Sequence, residues 1–378
     1  FIDYAIILMY SYKMYKRYTR FGGDSMNKLG QVHELLEQKK LDAVVILSDF
    51  NRRYLSEFTG TSGALIISPN HQYLVTDFRY IEQAKNQASE FEIINRKSDL
   101  ISEIKAILKK ENLSNVGFEG HEVSYDTYIE LNKGMITLIS ISDAIEKIRE
   151  VKSQSEIEII KKAAQIVDET YDYILTIAKA GMTEREVKAE LESKMLHLGA
   201  DGPSFDTIVA SGHRGALPHG VASDKIIEQG DMVTLDFGAY YKGYCSDITR
   251  TFAIGEPNPK MKEIYDIVLK AQQKALNEIK PGMTVKEADA LSRDFIEAHG
   301  YGEEFGHSLG HGIGLDIHEG PLLSKNASGQ LRVNNCVTIE PGIYVDGLGG
   351  VRIEDDILMT ENGCEVFTKC TKDLIILK

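Results

Sequence analysis

Hydrophobic and polar positions follow two alternating periods along the first third of the chain. Apolar residues recur at the spacing of one helix face over residues 27–39, which predicts a helix there. Strands are predicted in the apolar segments LDAVVILS, GALIIS, QYLVT, FEIIN and NVGFEG, and further helices over residues 80–87 and 100–110. Strands separated by helices are typical of an α/β layer domain, which we place at residues 26–144.

A second block, residues 145–378, opens with a longer helical pattern and contains an internal repeat. Apolar residues at helical spacing predict a long helical region over about residues 145–180. The segment KAGMTEREVKAELESKMLHLGA, which begins at Lys179, matches KPGMTVKEADALSRDFIEAHGYG, which begins at Lys280, at an offset of 101 residues. Both copies contain Thr-x-x-Glu, a capping box that begins a helix. We therefore predict two duplicated halves, with functional side chains meeting between them.

Composition narrows the class of function. The chain has 378 residues, of which 43% are hydrophobic and 26% charged, as in soluble proteins of about two domains. A net charge of −14 disfavours binding to nucleic acid. The four cysteines form no C-x-x-C pair, which favours a reduced, cytoplasmic protein. The apolar stretch at residues 2–10 is too short to cross a bilayer, so we predict no membrane partner either.

The first 25 residues differ in character from the rest of the chain. They have neither the basic start nor the small-residue cleavage site of a signal peptide. The regular helical pattern begins just after Met26. We expect residues 1–25 to be a non-native or disordered leader, with Met26 as the natural start.

Single carboxylates interrupt apolar strand patterns in both halves. Asp236 and Asp247 lie in DMVTLDFGAYYKGYCSDITRTFAIG, and Glu340 and Glu354 lie in NNCVTIEPGIYVDGLGGVRIEDDILMT. A buried carboxylate is costly unless it is paired, and a metal ion is a common partner. The segment EFGHSLGHGIGLDIHEGP between them supplies three histidines among glycines. Carboxylate and imidazole ligands suit Mn, Co, Zn or Fe, and two divalent cations would neutralise four carboxylates.

Together these segments resemble the pita-bread metallopeptidases, specifically the branch of Xaa-Pro aminopeptidases and Xaa-Pro dipeptidases (prolidases). The resemblance extends from Met26 to the end of the chain, and NRRYLSEFTGTSGALIIS and TDFRY are similar to the non-catalytic domain of this branch. It implies a mixed α/β (α+β) protein in which a pita-bread domain with duplicated halves follows a smaller creatinase-type α/β domain. It also implies a homodimer with two divalent metal ions per subunit. Manganese is the expected metal, with cobalt, zinc and iron as alternatives.

The resemblance assigns roles to individual residues. The implied metal ligands are Asp236, Asp247, His311, Glu340 and Glu354. Glu340 is also the implied proton shuttle, and His219 and His318 are the implied catalytic histidines that support the reacting carbonyl group and contact the substrate. His307, four residues before the ligand histidine, is similar to a histidine that lines the proline pocket.

Three further residues are candidates because of their spacing from the ligands. Arg352 precedes Glu354 by two residues, which predicts that both side chains project from one face of a strand. Such an arginine orients a carboxylate or binds the C-terminus of the substrate. Thr249 has the same spacing from Asp247 and is expected to support the ligands. Tyr344, close to Glu340 in sequence, is expected to border the substrate pocket.

The implied activity is hydrolysis of the bond before proline at the N-terminus of proline-containing peptides. Because no long insertion caps the catalytic half, the sequence favours an aminopeptidase, with a dipeptidase as the alternative. A metal-free, creatinase-like hydrolase is disfavoured because all five ligand positions are filled. A non-enzymatic binding protein is disfavoured for the same reason and by the charge of −14.

Overall fold

The computed structural model describes residues 25–134 and 136–378, with only the backbone described for residues 25–27. The expected leader therefore lies, except for its last residue, outside the described part of the chain. The chain divides into two compact units, and the division follows Arg149. Within the described residues, no helix has the length and apolar character needed to cross a membrane.

The first unit is built on a six-stranded mixed sheet. Its helices are α1 Ser25–Lys39, α2 Asp49–Ser56, α3 Ile81–Gln87, α4 Leu100–Lys110, α5 Tyr125–Leu131 and α6 Ala144–Arg149. Its strands are β1 Ala43–Ile46, β2 Ala64–Ile67, β3 Gln72–Thr76, β4 Glu92–Asn95, β5 Asn115–Phe118 and β6 Thr137–Ser140. The sheet order is β4-β3-β2-β1-β5-β6, with β2 antiparallel to both of its neighbours. Strands β1 and β2 are buried along their whole length, which explains their uninterrupted apolar sequences.

The second unit contains four long helices and several smaller sheets. Its helices are α7 Gln154–Ile177, α8 Glu184–His197, α9 Pro259–Glu278 and α10 Val285–Ala298. Its strands are β7 Gly202–Pro203, β8 Ile208–Ser211, β9 Met232–Phe237, β10 Ala239–Tyr241, β11 Tyr244–Cys245, β12 Ile248–Ile254, β13 Gly310–Gly312, β14 Glu319–Leu323, β15 Cys336–Ile339, β16 Gly342–Val345, β17 Gly349–Arg352, β18 Asp355–Thr360, β19 Gly363–Val366 and β20 Ile376–Leu377.

The helical region predicted over residues 145–180 consists of two helices, because the chain is not helical between α6 and α7. The backbone N–H of Lys152 donates to the carbonyl of Asn334 at 2.9 Å, a bond that a continuous helix would prevent. Ser153 then begins α7 with a capping box that it forms with Glu156. The apolar periodicity is continuous across residues 150–153, but the capping box at Ser153 begins a separate helix there.

The predicted duplication is confirmed by matching helix starts. Thr183 begins α8 by accepting a hydrogen bond from the backbone N–H of Glu186, whose side chain bonds back to Thr183. Thr284 and Glu287 form the same capping box at the start of α10. Both threonines also form isolated antiparallel bridges, to Ile226 and Gln330 respectively.

Two pairs of glycines take the same backbone conformation in both halves. Gly181 and Gly282 have φ of 94° and 88°, and Gly199 and Gly300 have φ of 98° and 86°. A positive φ is costly for residues with a Cβ, so glycine is required where each half enters and leaves its helix. The glycine matches noted in the sequence are therefore matches of backbone geometry.

Each half has its own sheet and its own apolar core. One core surrounds β9 and β12 and receives Val167 and Leu191 from α7 and α8. The other surrounds β15 and receives Ile264 and Ile296 from α9 and α10. The sheet orders are β20-β12-β9-β8 and β14-β13-β15-β18-β19. The candidate ligands lie on or next to the strands of these two sheets.

Candidate metal centre

Three of the predicted ligands form a compact, buried group. Asp247, His311 and Glu354 each offer one ligand atom, and these atoms all lie within 4.8 Å of one another. Asp247 directly precedes β12 in the first half, whereas His311 lies in β13 and Glu354 directly precedes β18 in the second. The group is therefore assembled from both halves of the duplication.

The other two predicted ligands border this group. Glu340 follows β15, and its Oε1 lies 3.4 Å from Nε2 of His311, which is itself 3.6 Å from Oδ2 of Asp247. Asp236 lies in β9, and its backbone pairs with that of Thr249. The charge of Asp236 raises the pKa of Asp247, and it acts in the same direction on Glu340. The structure thus brings all five predicted ligands to one place.

The acids of this cluster repel one another in a buried environment. Burial, followed by the charges of Glu354 and Asp236, raises the pKa of Asp247 well above its ordinary value. Burial and the charge of Glu340 do the same for the pKa of Glu354. Burial also raises the pKa of Glu340 to about 8, with the charge of Asp236 adding to the rise and that of Arg352 opposing it. The cluster is therefore short of positive charge.

Two buried carboxylate oxygens in the cluster lack a partner within the described part of the chain. Oδ1 of Asp247 and Oε1 of Glu354 accept no hydrogen bond from any described residue. Leaving such oxygens unsatisfied is costly, and cations are the partners that carboxylates and imidazole accept together. The donor set and these two oxygens fit a divalent metal ion.

Thr249 and Arg352 support the carboxylates as the spacing suggested. The Thr249 hydroxyl donates to Oε2 of Glu354 at 2.6 Å and accepts from Nε of Arg352 at 3.0 Å. Arg352 also donates through Nη2 to Oδ2 of Asp236 at 2.5 Å. The prediction that Arg352 and Glu354 share one strand is wrong, because β17 ends at Arg352. Both side chains nevertheless reach the same hydroxyl group.

Two supporting residues were missed by the sequence reasoning. The Thr338 hydroxyl donates to Oε1 of Glu340 at 3.2 Å and accepts from the backbone N–H of His311 at 3.1 Å. The buried Asp356 accepts the backbone N–H of Asp247 at 2.9 Å. Each lies two residues from a predicted ligand, at the spacing that had singled out Thr249. Applying that rule to every ligand would have found both.

The candidate substrate residues lie beside the metal group. Nε2 of His307 lies 2.9 Å from the Tyr344 hydroxyl, which accepts from Nη1 of Arg352 at 2.6 Å. The rings of His318 and His311 are in edge-to-face contact, with centroids 4.5 Å apart. His219 is exposed on the loop before β9. Burial lowers the pKa of His318, and the neighbouring His311 ring adds to the effect.

Burial makes the two inner histidines poor bases. It lowers the pKa of His307 to about 4, and the nearby guanidinium of Arg352 adds to the effect. Burial also lowers the pKa of His311, which keeps a ring nitrogen free of a proton, as metal ligation requires.

Comparisons with known proteins agree with the geometry. Residues 158–361 match metallopeptidase family M24, and residues 28–151 match the creatinase/prolidase N-terminal domain. A Xaa-Pro dipeptidase of Pyrococcus horikoshii is 43% identical over 357 residues, which cover 93% of this chain and 100% of that protein.

Solved structures give the same picture. The Xaa-Pro dipeptidase from Bacillus anthracis is 50% identical with a TM-score of 0.92, covering 94% of this chain and 100% of that one. The X-Pro aminopeptidase from Thermotoga maritima is 42% identical with a TM-score of 0.85, covering 90% of this chain and 99% of that one. The predicted fold class is confirmed.

Proposed function

Because the chain belongs to metallopeptidase family M24, and is therefore a hydrolase of peptides, we propose that it is a two-metal Xaa-Pro dipeptidase. The observation that carries this proposal is the buried group of Asp247, His311 and Glu354, in which two carboxylate oxygens lack a partner among the described residues. Relatives at 43% and 50% identity that bear the name Xaa-Pro dipeptidase support the substrate class.

These relatives favour a dipeptidase over the aminopeptidase that the sequence favoured. The preference for an aminopeptidase depended on the lack of a long insertion, whereas both dipeptidases align with this chain over their full length. A full-length match shows that dipeptidases of this branch need no such insertion. The aminopeptidase remains the second candidate, supported by the 42% identical X-Pro aminopeptidase.

The metal ions would be held by the five predicted ligands, with Thr249, Thr338 and Arg352 orienting them. Divalent cations at such a site supply Lewis acidity and allow water to act as a nucleophile near neutral pH. All three of Nε, Nη1 and Nη2 of Arg352 donate to protein groups, and the residue is 3% exposed. We therefore assign Arg352 to orienting Asp236 rather than to binding the substrate.

Glu340 is suited to move the proton that the reaction requires. Its carboxylate lies within the ligand group, with Oε1 3.4 Å from Nε2 of His311, where it would be able to accept a proton from the attacking water and pass it to the leaving group. The proton is needed by the proline nitrogen, since the leaving group is a secondary amine. His318 and His219 would lie along the peptide and donate to its carbonyl oxygen, while His307 and Tyr344 would border the proline ring.

The test uses substrates of two lengths. Protein stripped with a chelator and then supplied separately with Mn, Co, Zn or Fe is assayed on Ala-Pro, Ala-Pro-Ala and Ala-Ala. We expect cleavage of Ala-Pro to be at least about tenfold more efficient than cleavage of Ala-Pro-Ala, no cleavage of Ala-Ala, and the highest activity with manganese. Equal cleavage of both proline peptides would establish the aminopeptidase instead, and cleavage of neither would reject both candidates.

Two variants separate the metal site from general effects of charge. Asp247→Asn should abolish activity and weaken metal binding, measured by calorimetric titration of the stripped protein. Glu297→Gln removes an acid from the exposed face of α10 and should leave both unchanged. A homodimer, which we also propose, would appear as twice the mass of the 42.2 kDa chain in light scattering.

A further inference from the structure

Helix α10 contacts the loop that carries His307 through two charged side chains. Asp289 is 1% exposed, and Arg293 lies one turn later on the same face of the helix. Nε and Nη2 of Arg293 donate to the two carboxylate oxygens of Asp289 at 2.6 and 2.8 Å. This bidentate pair fixes the plane of the guanidinium group and leaves Nη1 and part of Nη2 directed away from the helix.

The pair holds the backbone on both sides of His307. Arg293 donates through Nη1 to the carbonyl of Phe305 at 2.8 Å and through Nη2 to the carbonyl of His307 at 2.7 Å. Asp289 accepts the backbone N–H of Leu309 at 3.1 Å. The guanidinium also lies 4.3 Å from the centre of the Phe305 ring. Three alternate residues of the segment 305–309, which we call the histidine loop, are thus bound to one helix.

The side chain of His307 depends on this support. Its Nδ1 faces the carbonyl of Ser308 at 2.8 Å, so that nitrogen carries the proton. Its Nε2 then accepts from the Tyr344 hydroxyl at 2.9 Å. Both ring nitrogens are therefore used within the protein, and the ring can act on a substrate only through the position of its face and edge. That position follows the backbone that α10 holds.

The other half uses a different acid for a corresponding purpose. Glu184 in α8 is fully buried and accepts the backbone N–H groups of Ser211 and Ser223 at 2.8 and 3.0 Å. These serines flank the segment that carries His219. By the duplication offset of 101 residues, Asp289 corresponds to Lys188 rather than to Glu184. A buried helical acid that holds a histidine segment thus occupies different positions in the two halves.

We propose that Asp289 and Arg293 are positioning residues of the substrate site, which they serve by fixing the histidine loop and with it the ring of His307. The proposal rests on the proposed function, since it takes His307 to border the proline of the substrate. A lysine in place of Arg293 keeps the charge but cannot donate to two carbonyls and a carboxylate in one plane.

The experiment compares three variants of the full-length, metal-loaded protein. Arg293→Met removes both hydrogen bonds from residue 293 to the loop and leaves the bond between Leu309 and Asp289, whereas Arg293→Lys can keep only one of the two. Ser292→Ala is the matched control, because Ser292 is buried in the same helix but donates to the Ala271 carbonyl at 2.8 Å, away from the loop. We expect Arg293→Met to raise KM for Ala-Pro at least about tenfold while kcat changes about threefold or less. Arg293→Lys should lie between this variant and the wild type, and Ser292→Ala should resemble the wild type.

Two further readouts separate positioning from stability and from the identity of the substrate. Metal affinity of Arg293→Met should stay within about twofold of the wild type. Amide hydrogen exchange at residues 305–309 should be faster in Arg293→Met than in Ser292→Ala. If KM values in Arg293→Met and Ser292→Ala are equal, or if exchange in the loop is equal, the positioning role is refuted. If the wild type fails to cleave Ala-Pro while loop exchange responds as expected, the proposed substrate is wrong and the support of the loop by α10 stands.

Discussion

Neutralising one acid of the cluster should stabilise the metal-free protein while removing its activity. Glu340→Gln keeps the shape of the side chain and an oxygen that accepts from Thr338, but it cannot ionise. In the wild type, ionisation of Glu340 places a further negative charge beside Asp236 in a buried site. The variant avoids that charge. It also loses a metal ligand and the proposed proton shuttle.

The magnitude follows from the pKa of the folded state. The pKa of Glu340 rises from 4.5 to about 8 on folding, which corresponds to about 5 kcal/mol of folding free energy once the group is ionised. Because the neighbouring acids share the titration, we expect a gain on the order of 2–5 kcal/mol for the variant. In the metal-free wild type, the folded state retains a proton that the unfolded state releases. Its stability therefore falls as pH rises from about 4.5 to about 8.

The assay is thermal unfolding in the presence of a chelator at pH 5 and pH 8.5. At pH 5 the two proteins should unfold at similar temperatures, since the carboxyl group is protonated in the folded wild type. At pH 8.5 the variant should unfold about 5–15 °C higher. Glu297→Gln, which removes an exposed acid, should show no such difference. Equal unfolding temperatures for Glu340→Gln and wild type at pH 8.5 would refute the repulsion argument.

Three other substitutions probe the supports of the site and of the fold. Thr249→Val removes the 2.6 Å hydrogen bond to Glu354 and should weaken metal binding about 10-fold in calorimetric titration, whereas an unchanged affinity would show that the hydroxyl is dispensable. Gly310→Ala would place a Cβ 2.0 Å from a backbone carbonyl of β15 and should cost about 2 kcal/mol or more in urea unfolding, while Gly306→Ala, with no atom within 4 Å of the new Cβ, serves as its control. Thr284→Ala removes a capping box and should cost about 1 kcal/mol by the same measurement, and a loss below a few tenths would mean that the cap is not required.

The sequence was most informative where the signal is local. Apolar runs predicted β1 to β5 of the first unit but not β6, and the Thr-x-x-Glu pattern predicted the starts of both α8 and α10. The repeat directed attention to acids in both halves before their proximity was known. Assignment of all five ligands, however, depended on the resemblance to a family, because a lone Asp in an apolar strand is compatible with many structures.

The features that were missed depend on contacts between residues far apart in the chain. Asp356 accepts the amide of Asp247 across 109 positions, and although its two-residue spacing from Glu354 could have singled it out as a candidate, nothing in the sequence indicates that partner. The hydrogen bond that the backbone N–H of Leu309 donates to Asp289 crosses 20 positions, and in sequence the acid looks like an ordinary helix residue. The break before α7 was missed because its apolar periodicity continues through a segment whose backbone bonds to residue 334. Such features follow from tertiary structure and cannot be read from periodicity.

The supply of ligands by two separate sheets has a consequence for unfolding. A cation bound by Asp247 from one repeat and by His311 from the other would tie the repeats together and would bind only when both are in place. Binding of this kind stabilises the folded state by about 4 kcal/mol when the free ion exceeds its Kd a thousandfold. The metal-loaded protein should therefore unfold in one cooperative step. In the metal-free protein, the acids that the two repeats contribute repel one another, so the repeats should separate at a lower temperature.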